Sequence, residues 1–123
     1  MRFLNKNLIY NMSFKDVIEK EGLNASKYLD IVKEYAKKSG YDPNKLKFSD
    51  DGIHKLEYEN VKFGRVGYGD YILWGLREKK GDTPPKYADK KRKGYLARAT
   101  QIKGDWHFPT SPNMLAIKIL WNG

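Results

Sequence analysis

Residues 45–66 read KLKFSDDGIHKLEYENVKFGRV, and their pattern of apolar and polar side chains decides the fold. Apolar residues alternate with polar ones in three short runs, and this period of two is typical of half-buried strands. Residues 49–52 (SDDG) and 59–60 (EN) separate the runs and favour tight turns. The stretch therefore predicts a three-stranded antiparallel meander, with Leu56 and Tyr58 on one face of its middle strand.

Helical patterns precede the meander. Ser13 stands three residues before a carboxylate and just ahead of an apolar pair, which is typical of a helix N-cap. A second helix is predicted to begin after Asn24 and to end at about Ser39, where Gly40 supplies a C-terminal stop. Its apolar residues recur every three or four positions, so we expect one face of this helix to pack on the core.

Three further elements follow the meander. Residues 71–77 form an apolar run that is either a short helix or a buried strand, and Asp70 before it favours the helix. Residues 86–103 combine helical spacing with many basic side chains. Ser111, which a proline follows, predicts the start of a closing apolar helix over residues 113–121 that docks on the sheet.

Length and apolar content fit one domain with a single core, since the chain has 123 residues of which 40% are hydrophobic. We predict one α+β domain over residues 1–123, with a helical N-terminal part (1–44) and an α+β part (45–123). The small antiparallel meander (about 45–66) is packed by the N-terminal helices, the basic helix and the C-terminal apolar helix. No apolar run approaches the roughly 20 residues that span a bilayer, and the first residues lack the apolar core of a signal peptide. We therefore expect a soluble intracellular protein without a transmembrane segment.

Positive charge is concentrated in one part of the chain. The sequence has 24 Lys and Arg against 15 Asp and Glu, a net charge of +9, and residues 86–103 hold seven basic side chains and one acidic side chain. Such asymmetry favours an anionic partner, which is nucleic acid, a lipid surface or an acidic protein face. The alternative is a solvated helix that only keeps the protein soluble. The candidate residues for binding an anionic partner are Lys90, Lys91, Arg92, Lys93 and Arg98.

Aromatic residues interleave with the basic ones in the second half of the chain. Tyr68, Trp74 and Trp106 are candidates for a protein interface, where aromatic anchors concentrate binding energy. The same three residues, together with Tyr71, are of the type that stacks nucleic-acid bases. The alternative is that they belong to the core, as aromatic residues of small domains usually do.

Three glycines at the end of the meander and just after it, Gly64, Gly67 and Gly69, invite comparison with phosphate-binding loops. Their spacing matches neither the dinucleotide-binding pattern nor the P-loop, and no parallel βαβ pattern surrounds them. We interpret them as a structural turn in which the backbone needs positive φ or close approach to a neighbour.

The residue types that commonly carry catalysis or bind metals form no recognisable set. The absence of cysteine excludes thiol nucleophiles and cysteine zinc sites. His54 and His107 lack the spacing of a metal-binding helix or loop. We therefore predict a non-enzymatic protein with no catalytic residue, no cofactor and no metal. The alternative is a hydrolase or nuclease, whose loose carboxylate candidates are Asp50, Asp51, Asp70 and Asp105.

Five sequence elements follow one another in a characteristic order across residues 62–122. They are Phe63-Gly64-x-x-Gly67-Tyr68-x-Asp70-Tyr71, Lys91-Arg92-x-x-Tyr95-Leu96-Ala97-Arg98, Trp106, Ser111-Pro112-Asn113-x-Leu115-Ala116 and Ile119-Leu120-Trp121-Asn122. This pattern resembles a family of small uncharacterised proteins of nucleocytoplasmic large DNA viruses that infect algae and protists. Histidines of that family have no counterpart here, where Trp74 and Ala99 stand near their places, so the resemblance implies no histidine chemistry.

The resemblance implies a structural or binding protein, specifically a minor or cementing component of the capsid. Its partners would be larger capsid proteins or other virion proteins, and it would be found in the virion or the host-cell cytoplasm. The basic helix would then face acidic capsid loops, the inner membrane or the packaged genome. The alternative is a basic nucleic-acid-binding protein that acts through helix 86–103.

Overall fold

The computed structural model describes residues 12–101 and 108–123. In these ranges the chain forms five α-helices and a three-stranded antiparallel sheet, which confirms the predicted α+β class. A short 3-10 turn over Pro43–Lys45 leads into the sheet, and a π-helical segment over Ala116–Leu120 continues the last α-helix. In chain order the elements are α1 (Phe14–Lys20), α2 (Ala25–Lys38), β1 (Leu46–Phe48), β2 (His54–Tyr58), β3 (Val61–Arg65), α3 (Tyr71–Lys80), α4 (Tyr87–Ala99) and α5 (Pro112–Leu115).

The sheet is the predicted meander, with β2 between β1 and β3. Leu56 of β2 pairs with Phe63 of β3 in the antiparallel register. Glu59 and Asn60 both have positive φ, at 47° and 69°, as a two-residue hairpin turn of the type matched to strand twist requires. The alternation of residues 45–66 and their turn chemistry therefore place the strands where the sequence predicts them.

Both N-terminal helices begin at the predicted caps. The Ser13 side chain accepts a hydrogen bond from the Asp16 amide, and the Asn24 side chain accepts one from the Lys27 amide at 3.0 Å. Gly40, with a φ of 89°, follows α2 in the left-handed conformation that commonly ends a helix. The helices are thus specified by local cap chemistry before any packing is considered.

One buried cluster joins the helices to the sheet. Phe14 of α1 and Tyr28 of α2 meet edge to face at 5.2 Å between ring centroids. Both are fully buried with Leu56 and Phe63 of the sheet and with Ile119 near the C-terminus. Each such side chain stabilises the fold by about 2–3 kcal/mol through burial alone. Helices α1 and α2 therefore share a hydrophobic core with the sheet and the C-terminal segment.

Residues 71–77 form a helix, the first of the two alternatives that the sequence leaves open. The Asp70 side chain accepts a hydrogen bond from the Leu73 amide at 2.8 Å and so caps α3. Gly81 ends the helix with a φ of 93°. The cap at Asp70 therefore accounts for a helix, rather than a strand, over residues 71–77.

The two C-terminal elements also follow the predicted positions. The basic stretch is helical over Tyr87–Ala99, whereas residues 102–107 lie outside the described ranges. The Ser111 side chain accepts a hydrogen bond from the Met114 amide at 3.1 Å, and the apolar segment that follows docks on the core. Its change to π-helix at Ala116 was not predicted. Within the described chain, no helix combines the length and apolarity needed to cross a bilayer.

Candidate anion-binding cleft

A cavity of about 390 Å³ opens between the end of β3, the helix α4 and the C-terminal segment. We call it the basic–aromatic cleft. Its size is in the range of about 300–1,000 Å³ that is typical of small-ligand sites. No acidic residue is among the described residues that line it. Its charged and aromatic lining residues are Lys55, Arg65, Lys91, Arg98, Tyr68, Trp74, Tyr95 and Trp121.

Three of the four cations in the cleft have no acidic partner among the described residues. Arg65 ends β3, and Lys91 and Arg98 lie seven residues apart on α4, two turns along one side of the helix. Across residues 12–101 and 108–123, no carboxylate oxygen lies within the 4.0 Å of an ion pair from the charged nitrogens of these residues. Their charge is therefore available to an anion that enters the cleft.

Aromatic rings form the walls of the cleft. The Lys91 Nζ lies 5.3 Å from the ring centroid of Trp74, within reach of a cation–π interaction that positions the ammonium. Tyr95 stacks on Trp121 at 4.2 Å between ring centroids, with their planes 8° apart, and burial raises the pKa of Tyr95. Tyr68, in contrast, is 69% exposed. The cleft thus combines a rigid stacked wall with one ring that is open to a ligand.

Two of the three glycines after the meander allow close packing at this cleft. A Cβ on Gly69 would lie 2.6 Å from Cε2 of Trp74, so only glycine lets the backbone approach the indole this closely. Gly64 has a φ of 73°, and a Cβ there would lie 2.8 Å from a methyl group of Leu120. The physical reason for these glycines is therefore steric: Gly69 leaves room for the Trp74 indole, and Gly64 leaves room for Leu120.

Beneath the cleft lies a buried ionic cluster that the sequence pattern did not predict. Lys55 is 1% exposed and Asp70 is 0% exposed, and Lys55 Nζ lies 2.8 Å from Asp70 Oδ2. The Tyr28 hydroxyl donates to the same oxygen at 2.7 Å. Burial and the Asp70 carboxylate raise the pKa of Tyr28 well above its ordinary value, so this hydroxyl stays protonated and donating.

The buried cluster fixes the relative positions of three elements. The Asp70 carboxylate binds Lys55 of β2 and Tyr28 of α2 through one oxygen and caps α3 through the other. Because Trp74 belongs to the first turn of α3, this carboxylate also sets the position of an aromatic wall of the cleft. The alternation of apolar and polar residues along β2 predicts that Lys55 faces solvent. In the structure, however, the Lys55 side chain is buried.

The structure brings four of the predicted binding residues together. Lys91 and Arg98, predicted for an anionic partner, line the same cleft as Tyr68 and Trp74, predicted for a protein interface. Lys90 lies beside them in a smaller groove of about 280 Å³ along α4, which we call the α4 groove and which shares Lys91 and Arg98 with the cleft. Their roles in binding stay predictions, but they are neighbours on one surface.

The other predicted residues lie elsewhere. Arg92 is half-buried and donates from Nε to the Trp121 carbonyl at 3.0 Å and from Nη2 to the Asn122 carbonyl at 2.7 Å. Its guanidinium therefore holds the C-terminal segment against α4. Lys93 is exposed away from the cleft, and Trp106 lies outside the described residues.

Three of the charged and aromatic lining residues were not predicted from the sequence as binding residues. The sequence pattern indicates ordinary strand residues at Arg65 and Lys55 and an apolar helical position at Trp121. Tyr95, one of the aromatic residues interleaved with the basic ones in the predicted basic helix, lines the cleft. The position of Arg65 beside Gly64 and Gly67 was the one indication in the sequence that this residue lies at a site. Glycines often occur where the backbone approaches a neighbouring group closely. The remaining contacts depend on long-range packing.

Asp51 and Asp70, two of the carboxylates named for the alternative hydrolase, bind different partners in the described chain. Asp51 Oδ2 lies 2.7 Å from the His54 ring nitrogen Nδ1, whereas Asp70 is buried against Lys55. Burial raises the pKa of Asp51, but hydrogen bonds from His54, Ile53 and the Ser49 hydroxyl outweigh it and hold this pKa well below its usual range. Asp105 and His107 lie outside the described residues. Within the described residues, no group of three or more His, Asp or Glu side chains is arranged to hold a metal ion.

No family model matches this sequence, and neither the curated proteins nor the solved structures contain a significant match. The functional interpretation therefore depends on the physical chemistry of the basic–aromatic cleft.

Proposed function

We propose that this protein is a non-enzymatic nucleic-acid-binding protein and that the basic–aromatic cleft takes up a single-stranded segment. The observation that carries the proposal is the presence of three cations without described acidic partners, Arg65, Lys91 and Arg98, around one cavity that also exposes Tyr68. Single-strand binders combine these features, because cations neutralise phosphates while aromatic rings stack on bases.

A single strand fits the cleft better than a duplex. Bases in a duplex already stack on each other, so they would offer no free face on which the exposed ring of Tyr68 stacks. Three phosphate contacts on a single strand predict that a plot of the logarithm of the binding constant against the logarithm of the salt concentration has a slope of about −2. Each contact contributes about −0.7 to this slope. The α4 groove extends the positive surface beyond the cleft through Lys90.

The test is fluorescence anisotropy of a labelled single-stranded DNA, titrated with protein at several salt concentrations. We expect binding that weakens steeply with salt and is largely lost in the triple variant Arg65→Gln, Lys91→Gln and Arg98→Gln. Equal affinity for a duplex of the same sequence, or binding that is independent of salt, would contradict the proposal.

A matched control separates the cleft from net charge. Lys15, Lys20 and Lys37 are exposed on α1 and α2, away from the cleft. Their triple substitution by glutamine removes the same charge, and we expect it to weaken binding only slightly. If both triple variants lose affinity equally, general charge attraction rather than the cleft accounts for binding.

Assembly into the particle of a large DNA virus is a second proposal, supported by the sequence resemblance. Ile53, Tyr68 and Phe108 are exposed large side chains that such a partner would cover. The partners would be larger capsid proteins, with the cleft turned to the genome, and the protein would occur in virions or the host-cell cytoplasm. Absence of the protein from the proteome of purified particles would refute this proposal.

A further inference from the structure

We infer that the basic–aromatic cleft recognises the phosphorylated end of a strand, a terminal phosphate monoester, in preference to an internal phosphodiester. This inference rests on the proposed function and specifies which part of the nucleic acid enters the cleft. It follows from the charge within the cavity, from the buried residues of one of its walls and from the α4 groove beside it.

The cleft holds more positive charge than one internal phosphate requires. Lys55 is neutralised by Asp70, which leaves the charges of Arg65, Lys91 and Arg98 around a single cavity. An internal phosphodiester carries one negative charge, whereas a phosphate monoester carries about −1.5 to −2 at neutral pH and offers three acceptor oxygens. Three converging cations therefore match a monoester better than a diester.

One wall of the cleft is packed. Lys55, Leu120 and Trp121 line the cavity and are buried in the fold. A terminal phosphate can approach this wall with one strand attached, whereas an internal phosphodiester must accommodate a strand on both of its sides. The α4 groove shares Lys91 and Arg98 with the cavity and offers a path for that one strand.

The cleft is rigid in a way that suits recognition of a small, fixed group. The Tyr95–Trp121 stack and the packing of Gly69 on Trp74 leave two of the aromatic walls little freedom. The π-helical segment Ala116–Leu120 contributes Ala116 and Leu120 to the lining, and π-helical turns occur frequently at functional sites. Rigid walls lower the entropy cost of binding.

The experiment compares three single-stranded DNAs of one sequence, which carry a 5′-phosphate, a 3′-phosphate or hydroxyl groups at both ends. Anisotropy measures their affinities, and competition by a nucleoside monophosphate and by the nucleoside tests the phosphate alone. We expect one phosphorylated strand to bind about tenfold tighter than the hydroxyl strand, as a charge-assisted hydrogen bond contributes about this factor. We also expect the monophosphate, but not the nucleoside, to compete.

Each outcome separates this inference from the proposed function. Equal affinity for all three strands would overturn the terminal-phosphate inference while leaving single-strand binding intact. Failure of every strand to bind, with displacement by the monophosphate of a fluorescent nucleotide, would overturn strand binding and support phosphate recognition. Absence of binding by strands and monophosphate would overturn both.

A pair of variants locates the recognition. Lys91 and Arg98 are exposed and have no described acidic partner, so we expect the double variant K91Q/R98Q to fold, which circular dichroism checks. It should bind phosphorylated and hydroxyl strands equally. The double variant K15Q/K20Q carries the same change in net charge and should keep the preference. Retention of the preference in K91Q/R98Q would overturn the assignment to this cleft.

Discussion

Replacement of Asp70 by asparagine is expected to destabilise the fold strongly. Asp70→Asn keeps an oxygen that can cap α3 but removes the negative charge that pairs with Lys55 at 2.8 Å. Both residues are buried, and a buried charge that loses its partner costs about 3–5 kcal/mol. A domain of this length has a total stability of roughly 6–18 kcal/mol. The variant should therefore lose a large share of its stability.

Urea denaturation followed by circular dichroism measures this loss. We expect a free energy of unfolding about 3–5 kcal/mol lower for Asp70→Asn, with a melting temperature lower by roughly 10–20 °C. Asp42→Asn is the matched control, because Asp42 also caps a helical turn but is exposed and has no buried cation. We expect the control to lose less than about 1 kcal/mol.

A double variant tests the cause of the loss. Adding Lys55→Met to Asp70→Asn removes the unpaired charge and fills its space with an apolar side chain, so about 2 kcal/mol or more of stability should return. A loss below about 1 kcal/mol in Asp70→Asn alone, or no recovery in the double variant, would refute the role of this ion pair in holding β2 to α3.

Three further substitutions test other contacts. Asp51→Asn should lower the urea midpoint at pH 7 and lower it by a smaller amount at pH 3. Hydrogen bonds from His54 hold the folded-state pKa of Asp51 well below its usual range, so its stabilising effect is complete above the unfolded-state pKa of about 4 and is lost progressively as pH falls from there through the folded-state pKa. Gly69→Ala should displace the Trp74 indole, because the new methyl group overlaps the ring, and should shift its fluorescence maximum. We expect the free energy of unfolding to fall by about 1–3 kcal/mol. Arg92→Gln should lower the free energy of unfolding by about 1–3 kcal/mol with little change in DNA affinity at low salt. The reason is that the Arg92 guanidinium binds C-terminal carbonyls rather than lining the cleft. Loss of DNA binding with unchanged stability would contradict this assignment.

Local patterns predict most of the fold. The caps at Ser13, Asn24 and Asp70 and the hairpin turn at residues 59–60 are set by neighbouring residues in the sequence, so they can be inferred without tertiary information. Lys55 could not be placed in the same way. Its burial depends on a carboxylate fifteen residues away that caps another element, and strand alternation indicates the opposite face.

The cleft is only partly predictable because segments that are distant in the sequence form it. Composition identifies the basic stretch but does not distinguish Lys91 from Arg92. Consecutive residues of a helix point about 100° apart, so these two side chains have different surroundings. One therefore lines the cleft while the other binds the C-terminal carbonyls. The contributions of Arg65 and Trp121 arise when the sheet end and the C-terminal segment pack against α4.

The measurement that tests the central claim most directly is a proton–nitrogen correlation NMR titration of the labelled protein with a single-stranded DNA. If the basic–aromatic cleft is the binding surface, shift changes should concentrate at residues 64–70, at the indole N–H of Trp74 and along the Lys91–Arg98 side of α4. Shift changes centred on α1, or on the exposed surface at Lys93 with the cleft signals unmoved, would contradict it.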